Sequence, residues 1–168
     1  ALFELGPVFA GGEPGEQSLM AVGLLVGATS ARDPHVSRRP VDLFDAKADA
    51  EAVLAALGAP ARLQITRAVP GWFHPGRSGV MGLGPKLPLA WFGEVHPRIL
   101  RHFDVKGPDM AFAVLLENLP LPKSRKTARP TLAISPLQGV DRDFAFVVGA
   151  QVEAGIIVNA ALGADKAM

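Results

Sequence analysis

The stretch SGVMGLGPKLPLAWFG, residues 78–93, decides the fold. Two apolar segments, Ser78–Leu83 and Leu89–Gly93, flank the turn Gly84–Lys86, and glycine and proline are ordinary turn formers. The pattern therefore predicts a β-hairpin. A phosphate-binding loop needs a longer glycine-rich spacing and a helix directly after it, so we assign GLGPK to the turn.

Two further elements are predicted after this hairpin. Pro97–Phe103 has proline at its start, which is compatible with the first turn of a short helix. Met110–Leu116, MAFAVLL, predicts a strand, and its unbroken apolar run indicates burial on both faces.

The residues before the hairpin predict further strands. Leu2–Phe9 and Leu19–Gly27 are apolar stretches on either side of a Gly/Pro loop, which is the spacing of another hairpin. Arg62–Val69 alternates like a half-buried strand. Because most neighbouring strands are joined by hairpins, we expect an α+β fold, an antiparallel sheet with flanking helices on one face.

One long helix is predicted between these strands. Apolar residues recur with helical period from Leu43 to Leu57, after Asp42 as N-cap, with Asp45 three positions on. Gly58 ends the helix.

The composition narrows the functional classes. The 168 residues are 49% hydrophobic and 20% charged, with a formal net charge of +1 and no cysteine. These values indicate a globular chain with a core. The near-zero net charge excludes an electrostatic field of the whole molecule that would attract nucleic acid or a membrane. The absence of cysteine excludes disulfides and thiolate metal sites. The longest apolar run, Met20–Thr29, is about half the length of a membrane helix, and no secretory signal is recognised. We expect a cytoplasmic protein with no membrane partner.

The chain divides by composition into 1–120, a basic proline-rich linker at 121–130, and 131–168. The linker has no carboxylate between Pro122 and Pro130. Beyond it, Asp143–Val148 alternates as a strand and Val152–Leu162 forms an apolar helix, so a second domain starts and is not completed.

Single residues offer only weak candidates for metal binding, catalysis or ligand binding. The four histidines lack the spacing of a metal site, and the acids near Asp42 suit a helix start. Ser78 lies in no nucleophile elbow. Trp72 and Phe73 form either an aromatic wall for a ligand or, as we prefer, core with a loop anchor.

Five ordered motifs carry a family resemblance, and they cover nearly the whole chain. They are LFELGPVF (2–9), VDLFDAKADAEAVLAALG (41–58), HPGRSG (74–79), WFGEVHPRILRHFDV (91–105) and SPLQGVDRDFAFVV (135–148). In this order they resemble the C-terminal part of the beta chain of bacterial phenylalanyl-tRNA synthetase.

The resemblance implies a non-catalytic role. The first domain would copy the class II synthetase catalytic fold, and the second would be the truncated start of a ferredoxin-like anticodon-binding domain. Phenylalanine, ATP and magnesium would belong to the holoenzyme, a heterotetramer of two alpha and two beta chains that charges phenylalanine tRNA. Residues 10–13 read AGGE, without the arginine that ATP phosphates need, so we expect no catalytic, cofactor-binding or metal-binding residue here.

The resemblance also implies roles for individual residues. Candidate contacts to tRNA phosphates are Lys123, Arg125, Lys126, Arg129 and Arg142. Motif positions expected to be structural are Asp42, Phe44, Asp45, Lys47, His74, Pro75, Arg77, Gly93, Glu94, His96, Pro97 and Asp143. Ala48 and Asp141 depart from the family pattern, which often has glycine at the first position and a basic residue at the second.

HPGRSG and GEVHP are expected to form adjacent loops or turns at strand ends. Arg77 would brace a backbone carbonyl or a carboxylate such as Glu94, with RNA or partner contact as the alternative.

Two other functional classes stay open. One is a free-standing class II-like enzyme that forms an adenylate on this sheet. The other is an α+β interaction module with no RNA role.

Overall fold

The computed structural model describes residues 1–84, 86–121, 131–132, 134 and 136–164. The chain forms two compact units, Ala1–Pro122 and Lys123–Met168. Each unit is described by itself.

The first unit is a six-stranded antiparallel sheet with helices, as the hairpin pattern predicted. The strands lie in the order β1-β2-β6-β5-β4-β3. Their bounds are β1 Leu2–Phe9, β2 Gln17–Val26, β3 Gln64–Thr66, β4 Phe73–Gly82, β5 Pro88–Val95 and β6 Asp109–Leu115. The helices are α1 Leu43–Ala56, α2 Pro97–His102 and a 3-10 turn, Leu116–Asn118.

Helix α1 begins and ends at its predicted signals. The Asp42 carboxylate accepts from the backbone N–H groups of Phe44 and Asp45, and the Asp45 carboxylate accepts from the N–H of Asp42, which completes a capping box. Gly58 follows the helix with a φ of 76°, a left-handed conformation that glycine adopts without strain. The predicted N-cap and helix end are both confirmed.

The core lies between α1 and the middle of the sheet. Ala46, Ala50 and Leu54 recur every four residues and are fully buried against β2, β5 and β6. The two alanines allow the helix axis to approach the sheet closely. Strand β6 is the centre of the sheet, and six of its seven residues, Asp109 to Val114, are buried, which confirms the prediction of burial on both faces.

Two strand predictions need correction. The predicted strand Arg62–Val69 is paired only at Gln64–Thr66, because β3 lies at the edge of the sheet and has β4 as its one partner among the described strands. The predicted strand Ser78–Leu83 begins five residues earlier, at Phe73, so HPGRSG lies inside β4.

The second unit contains the helix α3, Ala154–Gly163, which confirms the predicted helix Val152–Leu162. The prediction of a strand at Asp143–Val148 is wrong, because the described residues there have no ladder partner. A strand needs such a partner for its backbone N–H and C=O groups. The side chains of Phe144 and Phe146 are 76% and 62% exposed, so alternation alone did not bury them. Among the described residues, no helix is long and apolar enough to cross a membrane.

Candidate functional site: a braced bulge and an apolar sheet edge

A wide bulge in β4 brings HPGRSG and GEVHP together. Phe73 pairs with Val95 and Ser78 pairs with Gly93, so four residues of β4, 74–77, lie opposite the single residue Glu94 of β5. The adjacency predicted for these two motifs is therefore confirmed. The expectation that HPGRSG is a loop is wrong in part, because the ladder continues on both sides of the bulge.

Arg77 and Glu94 form a two-pronged ion pair across the bulge. The guanidinium donates from Nε to Oε2 of Glu94 and from Nη2 to Oε1, the second at 2.7 Å. The Glu94 side chain is only 7% exposed, whereas that of Arg77 is 51% exposed. The hydrogen bond from Arg77 lowers the pKa of Glu94 against the opposing effect of burial, and the charge of Arg77 and the nearby His74 lower this pKa further. The carboxylate brace expected for Arg77 is present.

The two His-Pro pairs organise the backbone around this brace. His74 Nδ1 accepts from the N–H of Gly76, and His96 Nδ1 accepts from the N–H of Arg98, each at 3.1 Å. His96 is the N-cap of α2, ahead of Pro97 at its first turn. The two imidazoles stack with centroids 6.3 Å apart. These contacts give both histidines the role of turn and cap residues, and no cluster of three or more metal-ligating side chains occurs in the described residues.

Gly93 is required where the two strands approach. Its φ of 134° is outside the range of ordinary L-residues. A Cβ at this position would overlap the carbonyl oxygen of Arg77 and would lie 2.5 Å from the Cβ of Ser78. Glycine therefore allows the bulged strand to lie close enough to β5 for Arg77 to reach Glu94.

Of the two aromatic residues before the bulge, Phe73 belongs to the core and Trp72 is 37% exposed. Phe73 is 1% exposed, Trp72 stacks on it with ring centroids 4.2 Å apart, and Trp91 meets Trp72 edge-on at 5.9 Å. This arrangement favours the interpretation as core with a loop anchor over that as a ligand wall.

A second charged cluster lies at the start of α1. Arg39 binds both oxygens of Asp45 at 2.7 Å and reaches Asp42 at 3.3 Å. The hydrogen bond from Arg39, followed by that from the Asp42 backbone, lowers the pKa of Asp45. Lys47 pairs with Glu51 at 3.2 Å one turn further on. These contacts give Asp42, Asp45 and Lys47 structural roles at the helix start.

Phe44 differs from its neighbours in this cluster, because its ring is 67% exposed. Arg39 was not predicted from the sequence as a functional or structural residue. Its signal is the basic loop, 32–40, directly before an acidic helix start.

Strand β1 is an apolar sheet edge that the sequence did not predict to be exposed. Within the described part of the chain it pairs only with β2, so no described strand covers its other backbone edge. Its large apolar side chains are exposed on both faces, and they are Leu2 (70%), Phe3 (64%), Leu5 (57%), Val8 (43%) and Phe9 (63%). An open edge with such side chains is typical of a surface that another chain covers.

Of the predicted tRNA contacts, only Arg142 lies among the described residues. Four of them, Lys123, Arg125, Lys126 and Arg129, lie outside the described residues. Arg142 and Asp143 are exposed residues of the second unit with no regular element.

The family model and the curated relatives that match this chain point to the same family. Residues 1–116 match the family model described as the CLM domain of the phenylalanyl tRNA synthetase beta chain. Similar curated proteins carry the name phenylalanine–tRNA ligase beta subunit. The protein of Cereibacter sphaeroides is 70% identical over 168 residues, and that of Ruegeria pomeroyi is 61% identical over 168 residues. Each match covers 100% of this chain and 21% of the relative.

A third relative, from Rhodospirillum rubrum, is 52% identical over 169 residues, with 99% of this chain and 21% of the relative covered. The chain thus spans about a fifth of the length of the curated relatives it matches.

Proposed function

Because this chain belongs to the phenylalanyl-tRNA synthetase beta chain family, we propose that it is a structural part of a phenylalanine–tRNA ligase. In this proposal the first unit is a class II synthetase-like module without catalysis, which packs on the alpha chain. The alpha chain binds phenylalanine, ATP and magnesium. The assembly is a cytoplasmic heterotetramer of two alpha and two beta chains.

The apolar edge of β1 carries the packing proposal. Phe3 and Phe9 lie on the same face of the strand and are more than 60% exposed, so burial of this edge against another subunit removes apolar surface from water. The non-catalytic part is supported by residues 10–13, AGGE, which offer no cation to a triphosphate.

The packing proposal is tested by co-purification. The full beta chain with Phe3→Ser and Phe9→Ser should lose the alpha chain on co-expression, whereas Phe103→Ser, which changes an equally exposed ring away from β1, should retain it. Tryptophan fluorescence of each variant checks folding. If the β1 variant folds and still retains the alpha chain, this edge is not the packing surface.

A free-standing adenylate-forming enzyme is the competing function. The chain alone should give no saturable heat with ATP and magnesium at micromolar concentrations and no phenylalanine-dependent exchange of pyrophosphate into ATP. Either signal contradicts the non-catalytic proposal.

The tRNA-facing role is proposed from the sequence. A linker at 121–130 would lead into the start of a ferredoxin-like anticodon-binding domain at 131–168, in the second unit. That this chain is a C-terminal part of the longer beta chain stays a prediction. Replacement of Lys123, Arg125, Lys126 and Arg129 by Gln in the full chain should weaken tRNA binding and reduce the slope of log affinity against log salt. An unchanged slope would leave these residues as a linker.

A further inference from the structure

We propose that a groove beside the Arg77–Glu94 pair binds a peptide segment of a partner protein that carries an apolar side chain next to a carboxylate. The groove has a volume of about 460 Å³ and lies between the bulge, α2 and the segment that leads into β6. Its volume is within the range of sites that hold a small ligand or a few side chains. It is separate from the β1 edge, and the inference does not depend on the ligase role.

The walls of the groove are mainly aliphatic and are held in place by the backbone. Leu100 and Val105 line it together with Pro97 and Pro108. The N–H of Val105 donates to the carbonyl of Leu100 at 2.8 Å, which ties the segment after α2 back to the helix. A Cβ on Gly107 would overlap the Leu100 side chain, so glycine at this position leaves room for that wall. A groove with fixed walls binds without a large ordering cost.

The charge of the lining is complementary to an anion. Glu94 is the acid in the lining, and Arg77 already binds both of its oxygens. Arg101 lines the same groove, is exposed, and makes no side-chain hydrogen bond or ion pair within the described part of the chain. Arginine is well suited to a carboxylate because it can donate two parallel hydrogen bonds.

The apolar walls favour a peptide over a nucleic acid. No aromatic ring is among the described residues that line the groove. Stacking on aromatic rings is the main way in which proteins hold unpaired bases. An aliphatic or aromatic side chain of a peptide would instead cover Leu100 and Val105, while its neighbouring carboxylate pairs with Arg101.

The probe is N-acetyl-Leu-Asp-amide, titrated into the full chain and followed by NMR of the Leu and Val methyl groups. The methyl resonances of Leu100 and Val105 should shift and saturate at millimolar peptide. The uncharged N-acetyl-Leu-Asn-amide should bind about tenfold more weakly, because it lacks the charge-assisted bond to Arg101.

Two arginines of α2 provide a matched pair of variants. Arg101→Gln should weaken Leu-Asp binding about tenfold and abolish the preference over Leu-Asn. Arg98→Gln, on the same helix but outside the lining, should leave both affinities unchanged. The methyl spectrum of each free variant verifies that it is folded.

The proposal is overturned by any of three results. The first is equal binding of the two peptides to the unchanged chain, and the second is the absence of a saturable shift at Leu100 and Val105. The third is displacement of the peptide by the dinucleotide pUpU at equal concentration, which would assign the groove to a nucleic acid.

Discussion

Replacement of Gly93 by Ala should lower the free energy of unfolding of the first unit more than replacement of Gly15, Gly71 or Gly79 by Ala. Gly93 has a φ of 134°, and an alanine held there costs about 1–3 kcal/mol in backbone strain. The added Cβ would also overlap backbone atoms of Arg77 and Ser78, which can move only if β4 separates from β5. Overpacking of this kind costs about 1–3 kcal/mol, so the expected total is about 2–6 kcal/mol.

Three control glycines separate the two contributions. Gly15→Ala measures strain alone, since its φ is 95° and no atom lies within 4 Å of the added Cβ. Gly79→Ala measures steric overlap alone, with Cζ of Phe92 at 2.7 Å and no positive φ. Gly71→Ala has neither feature and should stay within about 0.5 kcal/mol of the parent chain.

Urea unfolding followed by tryptophan fluorescence measures each free energy of unfolding, with Trp72 and Trp91 as reporters beside the bulge. The loss for Gly93→Ala should approach the sum of the losses for Gly15→Ala and Gly79→Ala. A loss no larger than that of Gly71→Ala would refute the reasoning, because the bulge would then not require glycine.

The remaining predictions concern carboxylates. Asp109→Asn should raise the free energy of unfolding at neutral pH by about 1–3 kcal/mol, because the amide carries no charge, whereas the 1% exposed carboxylate has no partner among the described residues. Burial raises the pKa of Asp109. The stability gained by Asp109→Asn should therefore disappear in acid, where the parent carboxyl is neutral in both the folded and the unfolded states. A stability gain that is unchanged in acid would contradict this prediction. Asp42→Ala should lower the free energy of unfolding by about 1 kcal/mol, because the helix loses its N-cap. Asp49→Ala on the same helix should cause no measurable change, and urea unfolding measures both variants. Arg77→Gln should lower the melting temperature at neutral pH. Because the pair lowers the pKa of Glu94, its stabilisation is present above the usual carboxyl range and is lost as pH falls through the lowered value, so a pH series of melts should converge in acid.

Local features of the fold could be predicted because they depend on residues close together in the chain. The capping box of Asp42 and Asp45 spans three positions, and the hairpin of β4 and β5 turns within a short Gly/Pro loop. The unbroken apolar run of β6 indicated its burial on both faces without any knowledge of its neighbours. The family motifs likewise indicated which residues would meet at the bulge.

Contacts between residues distant in the chain could not be predicted in the same way. The sequence placed Arg77 and Glu94 in adjacent motifs, but the four-residue bulge follows from the pairing of Phe73 with Val95 beyond it. The alternation at 143–148 matched that of real strands, and it failed because a strand exists only where a second strand supplies its hydrogen bonds.

The sequence by itself determined the order of the strands and helices of the first unit, its antiparallel hairpins and the two ends of α1, because periodicity, turn residues and caps act locally. Only the tertiary structure decided that β1 is the edge strand of the described sheet and that the buried Asp109 side chain has no partner among the described residues. Exposure is a property of what packs against a residue, and the apolar residues of β1 have the same composition whether a neighbour covers them or not.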